Sequence, residues 1–412
     1  MLDLRDAFFL PSPPDAAELR AFTHGLMPRT VPAMMAHFTD DWRRLGVDAW
    51  NAVPDHWGAG GPVGWWTLPE YLGDHFIAPL LGAAQGTCIH QPNVHWTVQC
   101  LLSDPALFAG GGEVVVTEAE FPSVLHSARR WAALQGYDLR VVPLGADGFV
   151  DRAAVLDAIG PATALVILSH VGFTTGERLG DALLRDVAAA AHRHGALFAL
   201  DGYHATGSIP VAVEDYGVDV YFGGLLKEAC GSSGNAFVYL REGLDVRPQT
   251  TGWFGDADPF GFAAAPEDHP DARRRFLGGT SAVASMYHAV EGVRLLLDAG
   301  LPAVRAHSLA LTERCLARAD AAGLTVRSPR DPDRRGAMVI LEAPAADRLC
   351  SFLKQQHIYT DSRKGRYLRL APFVWNTEDE VDRAFDAIDE ALRSGTYRTL
   401  DPAPLDTAGP VT

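Results

Sequence analysis

The chain has 412 residues, 48% of them hydrophobic, with 35 basic against 51 acidic side chains and a formal net charge of −16. That composition excludes a peptide or a disordered chain, and the acidic balance excludes nucleic acid or an anionic membrane as the main partner, since both need a positive surface. No apolar run approaches the ~18–20 residues of a bilayer span, and Met1–Pro14 lacks the pattern of a secretory signal. Five scattered cysteines (Cys88, Cys100, Cys230, Cys315, Cys350) without CxxC spacing suit a reduced cytosol, so a cytoplasmic protein is expected.

In chain order, residues 1–55 read as helical and Pro-punctuated, with no strand pattern, and are expected to pack with the C-terminal unit. Residues 56–299 read as one large domain. Within it a helical pattern from about Val94 to Ser103 follows Gln91-Pro92-Asn93. From about Gly112 short β-branched runs appear at Glu113–Thr117, Asp138–Pro143, Ala164–Ser169, Ala196–Asp201, Asp219–Gly223 and Ala236–Leu240. Between several of them lie helical patterns at Ser123–Gln135, Arg152–Ile159 and Asp181–His194. Strands apolar on both faces and alternating with helices predict an α/β fold with a mainly parallel sheet covered on both sides. A Pro/Gly-rich tract, Thr250–Pro270, ends the alternation, and one long helix is predicted over Ala282–Ala299. Residues 300–398 read as a smaller α+β unit, and 399–412 as a disordered tail.

Parallel sheets place ligands beyond the carboxyl ends of their strands, so chemistry is sought there. Only three lysines occur, Lys227, Lys354 and Lys364. Lys227 follows an apolar strand and enters a Gly/Ser-rich loop, where burial would lower its pKa and make it a Schiff-base nucleophile. A lysine snorkelling to solvent satisfies the same letters. Asp201 closes the strand ALFALD, with His204 three positions on. A buried acid there needs a cation, such as a protonated pyridine nitrogen, unless it only caps the next turn. Asn93 and Val94 open a helix whose free N–H groups can cradle a phosphate, or Asn93 is a plain cap. Phe121, just past a strand, can stack on a flat cofactor or sit in the core. Arg369, in an alternating run, offers a fork for a substrate carboxylate, or a surface ion pair. His192 and His194 lie at i, i+2 on different helical faces, His90 and His95 lack acidic partners, and no G-x-S-x-G elbow is present. Neither a metal site nor a serine hydrolase is therefore expected.

Together these passages resemble the fold type I pyridoxal-phosphate enzymes, and more narrowly the class V group that contains the kynureninases. LSHVGFTTGERLGD with ALFALDGYHATGSIPVAVEDYGVDVYF looks like the run leading to the Schiff-base lysine. TGWFG…PFGF…RRRFLGGTSAV is similar to the GWFGH…RFLxGTPP segment, and SRKGRYLRLAPF resembles the carboxylate-binding strand. The resemblance covers roughly residues 85–385. It implies a large domain with a mainly parallel seven-stranded sheet sandwiched by helices, plus a small C-terminal α+β domain. It implies pyridoxal 5′-phosphate as cofactor, with Lys227 forming the internal aldimine and Asp201 on the pyridine nitrogen. His204 would lie beside the ring, Phe121 would stack on it, and Asn93 and Val94 would hold the phosphate. Trp253 and Thr280 would reach a phosphate across a homodimer interface, and Arg369 would bind the substrate carboxylate.

Several positions depart from the kynureninase pattern. Leu226 replaces the tyrosine before the lysine, Gly172 replaces an asparagine, Asp256 replaces the histidine after WFG, and Thr23–Met27 stands for the N-terminal GNSLG. The implied activity is a lyase or hydrolase cleaving Cβ–Cγ of an α-amino acid through aldimine and ketimine intermediates, on kynurenine or another amino acid. The alternatives are a C–S β-lyase or an aminotransferase, and more remotely a non-catalytic scaffold. A desulfurase would need a nucleophilic cysteine on a mobile loop, whereas Cys350 falls in a helical pattern and Cys230 in a tight turn.

Overall fold

The computed structural model describes residues 2–11, 13, 15–108 and 112–402. Most of the expected tail, from 403 on, lies outside them. The large sheet comprises β1 (Cys88–Gln91), β2 (Glu113–Thr117), β3 (Asp138–Val142), β4 (Thr163–Ser169), β5 (Leu197–Asp201), β6 (Val220–Gly224) and β7 (Ala236–Leu240). Their order is β1-β7-β6-β5-β4-β2-β3. The pairings from β3 through β6 are parallel, and β7 runs antiparallel to both β6 and β1. The carboxyl ends of β1, β2, β4, β5 and β6 therefore share one edge. Helices α1 (Val31–Leu45), α2 (Val94–Leu102), α3 (Pro122–Gln135), α4 (Arg152–Ala158) and α5 (Asp181–Arg193) belong to this half of the chain. One core, built on Val115, Val166, Leu168 and Tyr221, lies on one face of the sheet; a second, built on Val114, Ile167, Ala199 and Phe222, lies on the other. Apolar residues on both faces explain why these strands read as near-continuous hydrophobic runs.

Strand β1 escapes the sequence patterns because it is four residues long and half polar. Its His90 is nonetheless buried, with Nε2 2.8 Å from Asn235 Oδ1. The long helix predicted over Ala282–Ala299 is broken into Val283–His288 and α6 (Glu291–Ala299). The break packs on the turn after Lys227: a Cβ on Gly292 would come within 2.2 Å of the Ala229 carbonyl, and one on Gly231 within 2.3 Å of the Ala289 carbonyl. A continuous helix could not come so close to that turn.

The smaller unit holds α7 (Leu301–Ala321), α8 (Ala346–Gln355) and α9 (Glu378–Ser394) over a four-stranded antiparallel sheet. Its strands are β8 (Thr325–Val326), β9 (Val339–Glu342), β10 (Asp361–Arg363) and β11 (Tyr367–Leu370), in the order β10-β11-β9-β8. The N-terminal stretch touches both units and is not purely helical. Ala17–Glu18 pairs in parallel with Ile358–Tyr359, and Arg5 bonds Glu380 at 2.7 Å. Helix α1 instead meets the large unit, where Tyr287 donates its hydroxyl to buried Asp41 at 2.6 Å.

Candidate active site

At the carboxyl edge of the large sheet, a cavity of about 190 Å³ opens beside Lys227. Of the residues singled out in the sequence, Asn93, Val94, Phe121, Asp201, His204 and Lys227 all line it. Each arrives from the end of a regular element. Lys227 follows β6 after Leu225 and Leu226, and is 5% exposed. Its Nζ donates to His204 Nε2 at 2.8 Å and lies 4.5 Å from the Tyr203 ring centroid and 5.9 Å from that of Phe121. Burial is the largest influence on this amine and pushes its pKa below the ordinary lysine value. The carboxylates of Glu228 and Asp201 push it back up, and Arg369 and Arg363 add to the lowering.

His204 is held well below the ordinary imidazole value, first by burial and then by the Lys227 charge. A neutral ring that accepts at Nε2 carries its proton on Nδ1. That atom is buried with no hydrogen-bond partner among the described residues. Asp201, at the end of β5, accepts the Tyr203 backbone N–H at 2.9 Å, and burial pushes its carboxyl up to about 6. Asn93 caps α2, accepting Trp96 N–H at 2.8 Å, so the Val94 and His95 N–H groups of the first turn have no intrahelical partner. Phe121 is the N-cap residue of α3 and meets Phe173 edge-on at 5.2 Å.

The structure does not bring the other three residues into the cleft lining. Arg369 is buried, but its fork is occupied: Nε and Nη2 donate to Asp361 at 2.6 and 2.7 Å, and Nη1 to the Phe173 carbonyl at 3.2 Å. Trp253 is exposed amid Phe260 and Phe262, and Thr280 lies exposed in a separate hollow beside Trp96. Within one chain neither reaches Lys227.

Sequence reasoning missed Phe173, Tyr203, Ser169 and Val171, which line the cleft, and Asp361 behind Arg369. Asp361 carries no signal of its own in the sequence and meets Arg369 only once β10 and β11 pair in antiparallel register. Among the described residues all five cysteines are buried, and burial raises the Cys230 thiol pKa well above its usual range.

A fold type I large domain with a buried lysine at the sheet edge defines a class, and comparison with known proteins agrees. Residues 97–367 match the model of the aminotransferase class-V family, and the chain belongs to that family. Kynureninase from Geobacillus thermodenitrificans (strain NG80-2) is 26% identical over 96% of this chain and 92% of its own length. An uncharacterized aminotransferase of Bacillus subtilis (strain 168) is 30% identical over 77% of this chain and 82% of its own. Among solved structures, the apo cysteine desulfurase of Thermococcus onnurineus NA1 superposes with a TM-score of 0.78 at 20% identity, covering 92% of this chain and 95% of that one. The cystine C–S lyase C-DES, in complex with cysteine persulfide, gives 0.78 at 18%, covering 92% and 98%.

The cofactor of the class V family is pyridoxal 5′-phosphate, and the cleft fits it. The cleft offers an amine for the aldehyde, a buried acid for the ring nitrogen and an aromatic face. It also offers a helix start for the phosphate and an orphaned His204 Nδ1 awaiting an acceptor.

Proposed function

We propose that the protein hydrolyses the Cβ–Cγ bond of an α-amino acid with an apolar, carbonyl-bearing side chain, in the manner of a kynureninase. The observation that carries this reading is the cleft wall: Val94, Val124, Val171, Phe173 and Leu226 surround Lys227, so a substrate side chain there meets hydrocarbon. Kynureninases at 26–29% identity over 96% of the chain support it. Bound here, pyridoxal phosphate supplies an electron sink for charge at the substrate α-carbon.

The chain's own residues do the rest. Lys227 would hold the cofactor by its aldehyde, and its amine is the group placed to move the substrate α-proton. His204 Nε2 orients that amine. Asp201 would keep the ring nitrogen protonated, Phe121 would offer the ring a face, and Asn93 and Val94 would hold the phosphate at the start of α2. A substrate carboxylate reaches Arg369 in competition with Asp361. The apolar wall keeps bulk water from the α-carbon. Trp253 and Thr280 complete the phosphate site of a second copy, so the working unit is a homodimer; sedimentation of the active protein as a monomer would rule that out.

Transamination or C–S β-elimination is the second reading. It is favoured by Leu226, which removes from the cleft the hydroxyl that a tyrosine would bring. Persulfide transfer is disfavoured, because no described cysteine is exposed. Incubation with kynurenine, 3-hydroxykynurenine and cysteine conjugates separates these reactions by product. Alanine together with an aryl acid supports C–C hydrolysis, pyruvate with a thiol supports elimination, and an oxo acid with aminated cofactor supports transamination. Lys227→Ala should abolish turnover in each case.

A further inference from the structure

The end of β2 carries an acid that the reading above leaves unused. Glu120 follows β2 one residue before Phe121 and is 2% exposed. Each of its oxygens accepts a short hydrogen bond from a hydroxyl: Thr117 Oγ1 donates to Oε1 at 2.6 Å and Ser169 Oγ to Oε2 at 2.6 Å. Ser169 ends β4, stands beside Asp201 of β5 in the parallel register, and lines the cleft. A serine hydroxyl has one proton. While Glu120 is ionised that proton is spent on it, and Ser169 offers the cleft lone pairs alone.

We propose that Glu120 is a positioning residue of the ring-nitrogen subsite: it turns Ser169 Oγ toward the cleft as an acceptor beside Asp201, and stands as a second carboxylate behind a cationic ring. This rests on Asp201 being the partner of a protonated pyridine nitrogen. Two buried carboxyls in one region do not both ionise unless a cation arrives. Burial is the main force pushing the Glu120 carboxyl up to about 7; the Ser169 and Thr117 hydroxyls oppose it and the Asp201 charge adds to it. In cofactor-free protein Glu120 therefore holds a proton for much of the time at neutral pH, and shares it with one of the two hydroxyls. A ring that arrives protonated beside Asp201 shifts Glu120 to the ionised form and sends its proton to buffer, and a ring that arrives neutral takes that proton at its nitrogen.

Calorimetric titration of the cofactor-free protein with pyridoxal phosphate, in buffers of different ionisation enthalpy, tests this without turnover. Asp201, His204 and Lys227 face the same subsite and exchange protons in wild type and variant alike, so the difference between the two isolates Glu120. Near neutral pH the wild type should release more protons, or take up fewer, than Glu120→Gln. The variant should bind the cofactor about tenfold more weakly, the equivalent of one pK unit. The pH midpoint of the bound cofactor's visible band should fall in Glu120→Gln and also in Ser169→Ala, which keeps the carboxylate but loses the acceptor. Thr117→Val, which removes one of the two hydroxyls that favour ionised Glu120 but leaves its carboxyl and the Ser169 acceptor, should lower the midpoint less than Glu120→Gln does. Wild-type proton counts and midpoints in both Glu120→Gln and Ser169→Ala would overturn the proposal. Should Glu120→Gln fail to fold, the Ser169→Ala midpoint decides alone. Failure of the wild type to capture pyridoxal phosphate at Lys227 would instead sink the reading of the site.

Discussion

At the residue scale the site turns on how buried charges compensate one another. Lys227 and Glu228 are neighbours, both almost wholly buried, and neither Glu228 oxygen has a hydrogen-bond partner among the described residues. Burial is the largest cause lifting the Glu228 carboxyl above its usual range, and the Lys227 charge opposes it. Glu228 is in turn the strongest influence keeping the lysine protonated. Glu228→Gln should therefore lower the lysine pKa further. Because burial already holds the Lys227 amine below the ordinary lysine value, the pH midpoint for covalent capture of pyridoxal phosphate by cofactor-free Glu228→Gln should lie below that of the wild type. An unchanged or higher midpoint would show that Glu228 does not act on the amine. Lys227 and Asp201 were legible in the sequence because a scarce lysine and a strand-ending acid are costly in apolar surroundings. Glu120 and Asp361 were not: each reads as one more surface acid until the fold closes hydroxyls or an arginine around it.

At the scale of elements, the lysine turn is gripped from two sides. The break between Val283–His288 and α6 fits against it, and the N-terminal loop closes on it, Gly25 N–H donating to the Leu226 carbonyl at 3.0 Å. A Cβ on Gly25 would stand 2.1 Å from the Lys227 carbonyl oxygen and 2.6 Å from Cys230 Sγ. Gly25→Ala should thus cost about 1–3 kcal/mol of unfolding free energy and weaken cofactor capture. Gly160→Ala, where a Cβ meets nothing within 4 Å, should stay within about 0.5 kcal/mol. Equal thermal stability of the two variants would contradict the close approach. The α/β alternation was readable because its period switches between about 2 and 3.6. The helix break and the Gly25 contact were not, since both arise from backbone meeting backbone across more than fifty residues of sequence or more. Strand β1 was missed because it is short and half polar, and the partner that lets His90 be buried, Asn235, lies far along the chain.

At the scale of the whole molecule, the sheet order gathers residues from five distant segments onto one edge, and the small unit adds Arg369 from behind. The resemblance of ordered motifs gave the fold type; the physics of each motif alone left a structural reading open. What one chain does not bring together, Trp253 and Thr280 with Lys227, is what a shared site between two copies would supply. The account's central claim is that Lys227 carries the cofactor. Because the chain has three lysines in all, borohydride reduction of the pyridoxal-phosphate-loaded protein followed by peptide mapping gives an unambiguous answer. The account predicts a single reduced adduct on the peptide containing Lys227, absent from Lys227→Ala. An adduct on Lys354 or Lys364, or none on a protein that has bound the cofactor, would contradict it.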